Sequence, residues 1–127
     1  LVEDQDDVRR LTQKMLERCG YTVLSAPGGT AALESVLHGR QKIDVVLTDV
    51  IMPGMNGSEL AEALRQIRPD LPVIFMSGYT DDQLEGHRVL REDVVLIEKP
   101  FTAERLATQL QASLAESRAP QPLAVAT

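Results

Sequence analysis

Four short groups of residues carry the types that chemistry needs: Glu3-Asp4, Asp49, Ser77-Gly78 and Glu98-Lys99-Pro100. Glu3, Asp4 and Asp49, if brought together, repel one another. Such a cluster is stable only where a cation neutralises it or its pKa values rise. The donors are all hard oxygens, with no His or Cys in the pattern, which favours Mg²⁺ over zinc or copper. Lys99 adds a fixed positive charge, Ser77 a hydroxyl, and Gly78 a backbone N–H left open to a small anion. One carboxylate, one metal, one Lys and one Ser suit phosphoryl transfer. A carboxylate can act as the nucleophile and form an acyl phosphate, and catalysis is then mostly positioning and charge stabilisation. Asp49 is the candidate nucleophile.

Each group alone has an ordinary explanation. An Asp at a strand end is a turn or cap residue, Glu3-Asp4 a solvated helix entry, Lys99-Pro100 a loop, and Ser-Gly pairs are common. Their coincidence at successive strand ends is the signal, so the elements that place them matter. Leu1-Val2 reads as the end of a first strand. A buried strand has about five residues, so the sequence is expected to begin inside this element. Helical spacing runs over residues 6–19 through Val8, Leu11, Met15, Leu16 and Cys19, with Asp6 as N-cap and Gly20 just past the end. Residues 21–26 read as a second strand and 30–38, closed by Gly39, as a second helix. Residues 43–48, with Val45, Val46 and Leu47 in a row, read as a third strand covered on both faces.

Pro53, Gly54, Asn56 and Gly57 mark a loop. A third helix follows over residues 58–67, with Leu60, Ala61, Leu64 and Ile67 on one face. Residues 73–76 form a fourth strand. Thr80-Asp81-Asp82-Gln83 opens a fourth helix weakened by Gly86, and residues 94–97 form the fifth strand. Thr102 caps a fifth helix to about residue 116, with Leu106, Leu110 and Leu114 at four-residue spacing. Strands alternating with helices argue a parallel sheet covered on both faces. The expected fold class is α/β, a flavodoxin-like, doubly wound (βα)5 domain whose five-stranded parallel sheet has the order 2-1-3-4-5, with function at the carboxyl ends of the strands. Residues 1–116 form this domain and 117–127 a flexible tail or linker.

Composition narrows the partners. The 127 residues suit one domain, with no Trp, two Tyr and two Phe, so the core is aliphatic. A net charge of −6 argues against direct nucleic-acid binding and against a membrane surface. No run reaches the ~18 apolar residues a membrane helix needs, and no signal peptide is visible, so the expected location is cytoplasmic. The single cysteine, Cys19, can form no internal disulfide and is read as packing. His38 and His87 are read as surface residues, and the charges between Asp81 and Asp93 as a solvated face.

Leu1-Val2-Glu3-Asp4, Asp49-Val50-Ile51-Met52-Pro53-Gly54-Met55-Asn56-Gly57, Met76-Ser77-Gly78-Tyr79 and Lys99-Pro100-Phe101 together resemble receiver domains of response regulators, across residues 1 to about 116. The resemblance implies a two-component phosphorelay switch rather than a turnover enzyme. It implies that Asp49 is the phosphoacceptor and that Asp4, Asp49 and the Ile51 backbone carbonyl ligate Mg²⁺, with Glu3 acting through water. It also implies that Lys99 pairs with phosphoryl oxygens, that Ser77 hydrogen-bonds one of them, and that the Lys99-Pro100 bond is cis. The expected partners are a histidine kinase or phosphotransfer domain upstream and an effector or linked kinase domain downstream, with a homodimer left open. Two contexts are expected, a stand-alone receiver or the receiver of a hybrid sensor kinase, and Met76-Ser77-Gly78-Tyr79-Thr80 resembles receivers attached to such kinases.

One departure stands out. Many receivers carry an aromatic three residues before the Lys, and here that position is Leu96. Output is then expected through Ser77, the loop at residues 79–82 or the fourth helix, altering the face of the fourth helix, fifth strand and fifth helix. Ile51 and Tyr79 flank the expected water path and should influence hydrolysis of the phosphoryl group.

Three other readings compete. An FMN binder would need a Ser/Thr/Gly-rich loop after the first strand, where Glu3-Asp4 would repel phosphate. An Asp-nucleophile phosphatase would need a second Asp where Ile51 stands. A pseudo-receiver would only dock partners, and the complete acidic set argues against it.

Overall fold

The computed structural model describes residues 1–39, 42–77, 95–99 and 101–118. The expectations for Gly78, Tyr79, the fourth helix with Gly86 and His87, the charges from Asp81 to Asp93, the Lys99-Pro100 bond and residues 119–127 lie outside that set. The described elements, in chain order, are α1 (Asp6–Arg18), α2 (Gly29–His38), β1 (Val46–Asp49), α3 (Gly57–Ile67), β2 (Val73–Ser77), β3 (Val95–Glu98) and α4 (Ala103–Arg118). The strands β1, β2 and β3 are the third, fourth and fifth strands expected from sequence, and α4 is the expected fifth helix.

The three strands form a parallel sheet in the order β1-β2-β3, pairing Asp49 with Met76 and Ser77 with Glu98. On the other side of β1, Val2 makes parallel bridges to both Thr48 and Ala26. Its amide donates to the Leu47 carbonyl at 2.8 Å, and the Asp49 amide donates to the Val2 carbonyl at 3.0 Å.

Alternation along β1 and β2 sends successive side chains to opposite faces. Val46 packs with Ala32, Leu60 and Leu64 beneath α2 and α3. Leu47, Ile74 and Met76 pack with Leu16, Leu106 and Leu110 beneath α1 and α4. Helices therefore cover both faces, which is why the strands are apolar runs rather than alternating ones. The aliphatic core agrees with the sequence reading; of the leucines spaced by four on α4, Leu106 and Leu110 are buried and Leu114 is half-buried, and His38 is exposed as expected.

Several local expectations differ. Residues 21–25 form no strand; the backbone bonds across to Leu1 and Glu3 involve only Leu24 and Ala26, and only Ala26 pairs, with Val2. The N-cap of α1 is Gln5, and Asp6 is the first helical residue, placed where a carboxylate favours the helix dipole. Gly20 does follow the C-cap Cys19, at φ +95°, a conformation that disfavours side chains. The buried stripe of α1 runs through Thr12 to Leu16 at i, i+4, leaving Leu11 62% exposed and Cys19 on the surface. Ile67, at the last turn of α3, is also exposed. Helix α3 begins one residue early, at Gly57, and α4 continues through Arg118, past the boundary expected at 116. Among the described residues no helix is long and apolar enough to cross a membrane.

Candidate functional site

The site is assembled where the chain leaves four adjacent segments. Val2, fixed between Ala26 and Thr48, delivers Glu3 and Asp4. Asp49 ends β1, Ser77 ends β2, and Lys99 follows β3. Backbone bonds tie these ends together: the Val50 amide to the Met76 carbonyl at 3.1 Å and the Lys99 amide to the Ser77 carbonyl at 2.7 Å.

Glu3, Asp4 and Asp49 each offer a carboxylate oxygen, and these oxygens lie within 4.8 Å of one another. Glu3 is buried, at 1% exposure, although it is a carboxylate. Burial of that kind requires partners. Its Oε1 accepts from Lys99 Nζ at 2.9 Å and its Oε2 from the Gln5 amide at 3.2 Å. Lys99 Nζ also stands 2.6 Å from Asp49 Oδ1. The angles there do not make a hydrogen bond, so Oδ1 is charge-paired yet takes no aligned donor. Ser77 is buried beside this group, one register position beyond the partner of Asp49.

The charges perturb one another. Burial, reinforced by the hydrogen bond with Glu3, pushes Asp49 up to about 8 against the opposing pull of Lys99. Burial would raise Glu3 too, but its hydrogen bonds with Asp49 and Lys99 outweigh this and hold it below the usual carboxylate value. Asp4 is raised by burial and by Glu3 beside it. Burial works to lower Lys99, and its two carboxylate partners win and raise it. One ammonium therefore faces three acidic groups, and near neutral pH Asp49 keeps its proton. A hard divalent cation fits the oxygen donors, the excess of acid and the unaligned Oδ1, and would displace that proton.

Two contributors were not singled out from sequence. A Cβ on Gly57 would lie 2.1 Å from the Asp49 carbonyl oxygen, and the Gly57 amide donates to the Val50 carbonyl at 2.8 Å. The entry of α3 thus packs directly on the backbone of Asp49, a contact only Gly permits. In sequence Gly57 reads as a loop signal like its neighbours. Arg9, one turn into α1, donates through Nη1 to the Glu3 carbonyl at 2.9 Å and steadies the turn that carries the acidic pair. Ile51 is exposed beside the site, and Leu96 on β3 is 40% exposed.

Residues 1–111 match the family described as the response regulator receiver domain. The response regulator receiver protein CpdR of Brucella abortus is 33% identical over 114 residues, spanning 90% of this chain and 93% of that protein. The sensor kinase CckA of the same organism is 38% identical over 114 residues, but the chain spans only 12% of its length. Among solved structures, a receiver domain from the hybrid histidine kinase CckA superposes with a TM-score of 0.73 at 34% identity, covering 89% of this chain and 94% of that one. A response regulator receiver protein from Sinorhizobium medicae superposes with a TM-score of 0.79 at 27% identity, covering 92% and 93%. With a family match over most of its length and a near full-length relative in CpdR, this chain belongs to the response regulator receiver domain family of two-component signalling.

Proposed function

We propose that Asp49 accepts a phosphoryl group from a phosphohistidine on a histidine kinase or phosphotransfer domain. The observation that carries this reading is Lys99 Nζ held 2.6 Å from Asp49 Oδ1 within a three-carboxylate cluster at the strand ends. An Asp49 carboxylate oxygen attacks phosphorus, the histidine N–P bond breaks, and the imidazole leaves with the electron pair. Asp4, Asp49 and the Ile51 backbone carbonyl would hold Mg²⁺, with Glu3 acting through water; the ion supplies charge neutralisation to the phosphoryl oxygens. Lys99 stabilises the same oxygens and Ser77 donates its hydroxyl to one of them.

The domain runs from residue 1 to the end of α4 at Arg118, and its sheet has the order 2-1-3-4-5, with residues 24–26 and 1–3 as the two strands beyond β1. The parallel bridges of Val2 on both sides support that order. Phosphorylation biases a two-state equilibrium in the face that includes β3 and α4. Leu96, exposed where an aromatic is common, leaves Ser77 and the segment after it as the route of the signal. The similarity to CckA supports a place as the receiver of a hybrid sensor kinase, working in the cytoplasm on a linked or separate partner.

The test is incubation with acetyl phosphate or beryllofluoride, with and without Mg²⁺, comparing wild type and Asp49→Ala by intact mass and NMR. A Mg²⁺-dependent adduct absent from Asp49→Ala is expected. No adduct and no Mg²⁺ response would make the domain a constitutive docking module instead.

A further inference from the structure

The turn that carries Glu3 and Asp4 is gripped by one residue of the helix that follows it. The Glu3 amide donates to the Ala26 carbonyl at 3.1 Å, and there the backbone ladder of this segment ends. Among the described residues the Glu3 carbonyl takes no backbone donor. Arg9 Nη1 fills that place, donating to it at 2.9 Å. The same guanidinium donates through Nη2 to Asp6 Oδ1, and the Arg9 amide donates to the Gln5 carbonyl at 2.9 Å. Arg9 thus holds residues 3, 5 and 6 around Asp4. Its side chain is 19% exposed, whereas Arg10, paired with Asp7 on the same helix, is 69% exposed.

We propose that Arg9 is a positioning residue for Mg²⁺: by fixing the Glu3–Asp4 peptide it sets where the Asp4 carboxylate meets those of Glu3 and Asp49. This rests on the acidic cluster being the metal site. The Glu3 carbonyl and the Asp4 amide share one rigid plane, so a bond to the carbonyl limits the rotation that aims the Asp4 side chain. Glu3 is held by Lys99 and the Gln5 amide, and Asp49 by β1. Asp4 lies past the last ladder bond of its segment, so its aim depends on the turn. Like charges crowd there before a cation arrives, and a loosened Asp4 would swing away and have to be brought back on binding. Charge alone predicts the opposite sign. Arg9 is a cation near a divalent-cation site, so its loss would tighten Mg²⁺ if repulsion were its whole effect.

The test is a Mg²⁺ titration followed by NMR amide shifts at Asp4, Asp49 and Ile51. It compares wild type, Arg9→Met, Arg9→Lys and Arg10→Met at a temperature where urea unfolding shows all four folded. Arg9→Met keeps the apolar stem and loses the donors. It is expected to weaken Mg²⁺ by about tenfold, the scale of partners that orient metal ligands, and to speed amide exchange at Gln5 in the metal-free protein. Arg9→Lys, with one donor group to reach the Glu3 carbonyl, should recover part of the loss. Arg10→Met removes the same charge without touching the turn and should bind as wild type does. Mg²⁺ binding by Arg9→Met as tight as wild type or tighter would overturn the proposal, as would equal weakening in Arg9→Met and Arg10→Met. A wild type that does not respond to Mg²⁺ would overturn the metal site itself, which the same titration shows before any variant is compared.

Discussion

The two ends of one sheet solve opposite problems. At the carboxyl ends, polar side chains that would rather be in water are buried: Glu3, Asp49 and Ser77 all lie inside, tied by backbone bonds across neighbouring segments and by Lys99. At the amino ends, apolar side chains from both faces of the sheet line a groove of about 410 Å³. Charge can be concentrated where the backbone is fully committed, because fixed positions keep like charges from drifting apart and leave the relief to protons or a cation.

Gly57→Ala should break this contrast most severely. The added methyl meets the Asp49 carbonyl oxygen at 2.1 Å, a backbone contact that no rotamer change relieves. We expect a loss of ~3 kcal/mol or more in urea unfolding, with poor adduct formation by whatever folds. A wild-type unfolding midpoint would mean that the entry of α3 does not hold Asp49.

Next in size is Lys99→Met, which leaves Glu3 and Asp49 without their cation. A fully buried pair broken in this way costs ~3–5 kcal/mol. Lys99 is 28% exposed, so we expect a smaller loss, ~1–3 kcal/mol at pH 7. Asp49 is then raised further, and Glu3 loses a hydrogen bond and a charge that hold it down, so its pKa moves upward too. Acids with raised folded pKa values lose stability as pH rises, so the deficit should grow between pH 5 and 8 and shrink with Mg²⁺. A deficit that is constant with pH would show that Lys99 contributes packing rather than charge.

Mg²⁺ affinity sharpens the same point. Asp49, raised to about 8, keeps a proton in the folded, metal-free protein that the unfolded chain has already released. Between the ordinary carboxylate value of about 4 and pH 8, stability of the metal-free protein should therefore fall as pH rises, then level off. Mg²⁺ displaces that proton, so its apparent affinity should climb up to ~tenfold per pH unit from pH 6 to about 8 and flatten above. Asp4, also raised, contributes with the same sign. Asp49→Asn should flatten the profile; a flat profile in wild type would mean that the acidic cluster is not the metal site.

The carboxyl end was the more legible in sequence. Acid, Ser and Lys residues stand out at the ends of apolar runs, and strand alternation fixes which edge they share. The amino end was not. Residues 21–26 have strand-like composition, yet only Ala26 makes a bridge, to Val2, and composition does not reveal which residues of a segment find a partner. Leu11 was also misjudged, because hydrophobicity alone does not reveal that the buried stripe of α1 follows Thr12 and Leu16. Gly57 hid among turn signals, since its close approach to Asp49 exists only in three dimensions. Asn56 was legible and underused: Asn56 followed three residues later by Glu59 is a helix-start pattern.

That pattern supplies the smallest predicted effect. Asn56 Oδ1 accepts from the Glu59 amide at 2.9 Å and from Ser58 Oγ at 2.8 Å, while Glu59 Oε1 accepts from the Asn56 amide at 3.1 Å. Asn56→Ala removes the first two bonds and leaves the third, so it should cost ~1 kcal/mol, read as a lower urea midpoint at unchanged slope. The lost bonds run to Ser58 and Glu59 within α3, while it is Gly57 that packs on the Asp49 backbone, so under conditions where both proteins are folded the rate of adduct formation should match wild type. If adduct formation falls with the midpoint, fraying of α3 reaches Asp49. The acidic end would then depend on the stability of the helix that enters beside it, as well as on the backbone bonds between its strands.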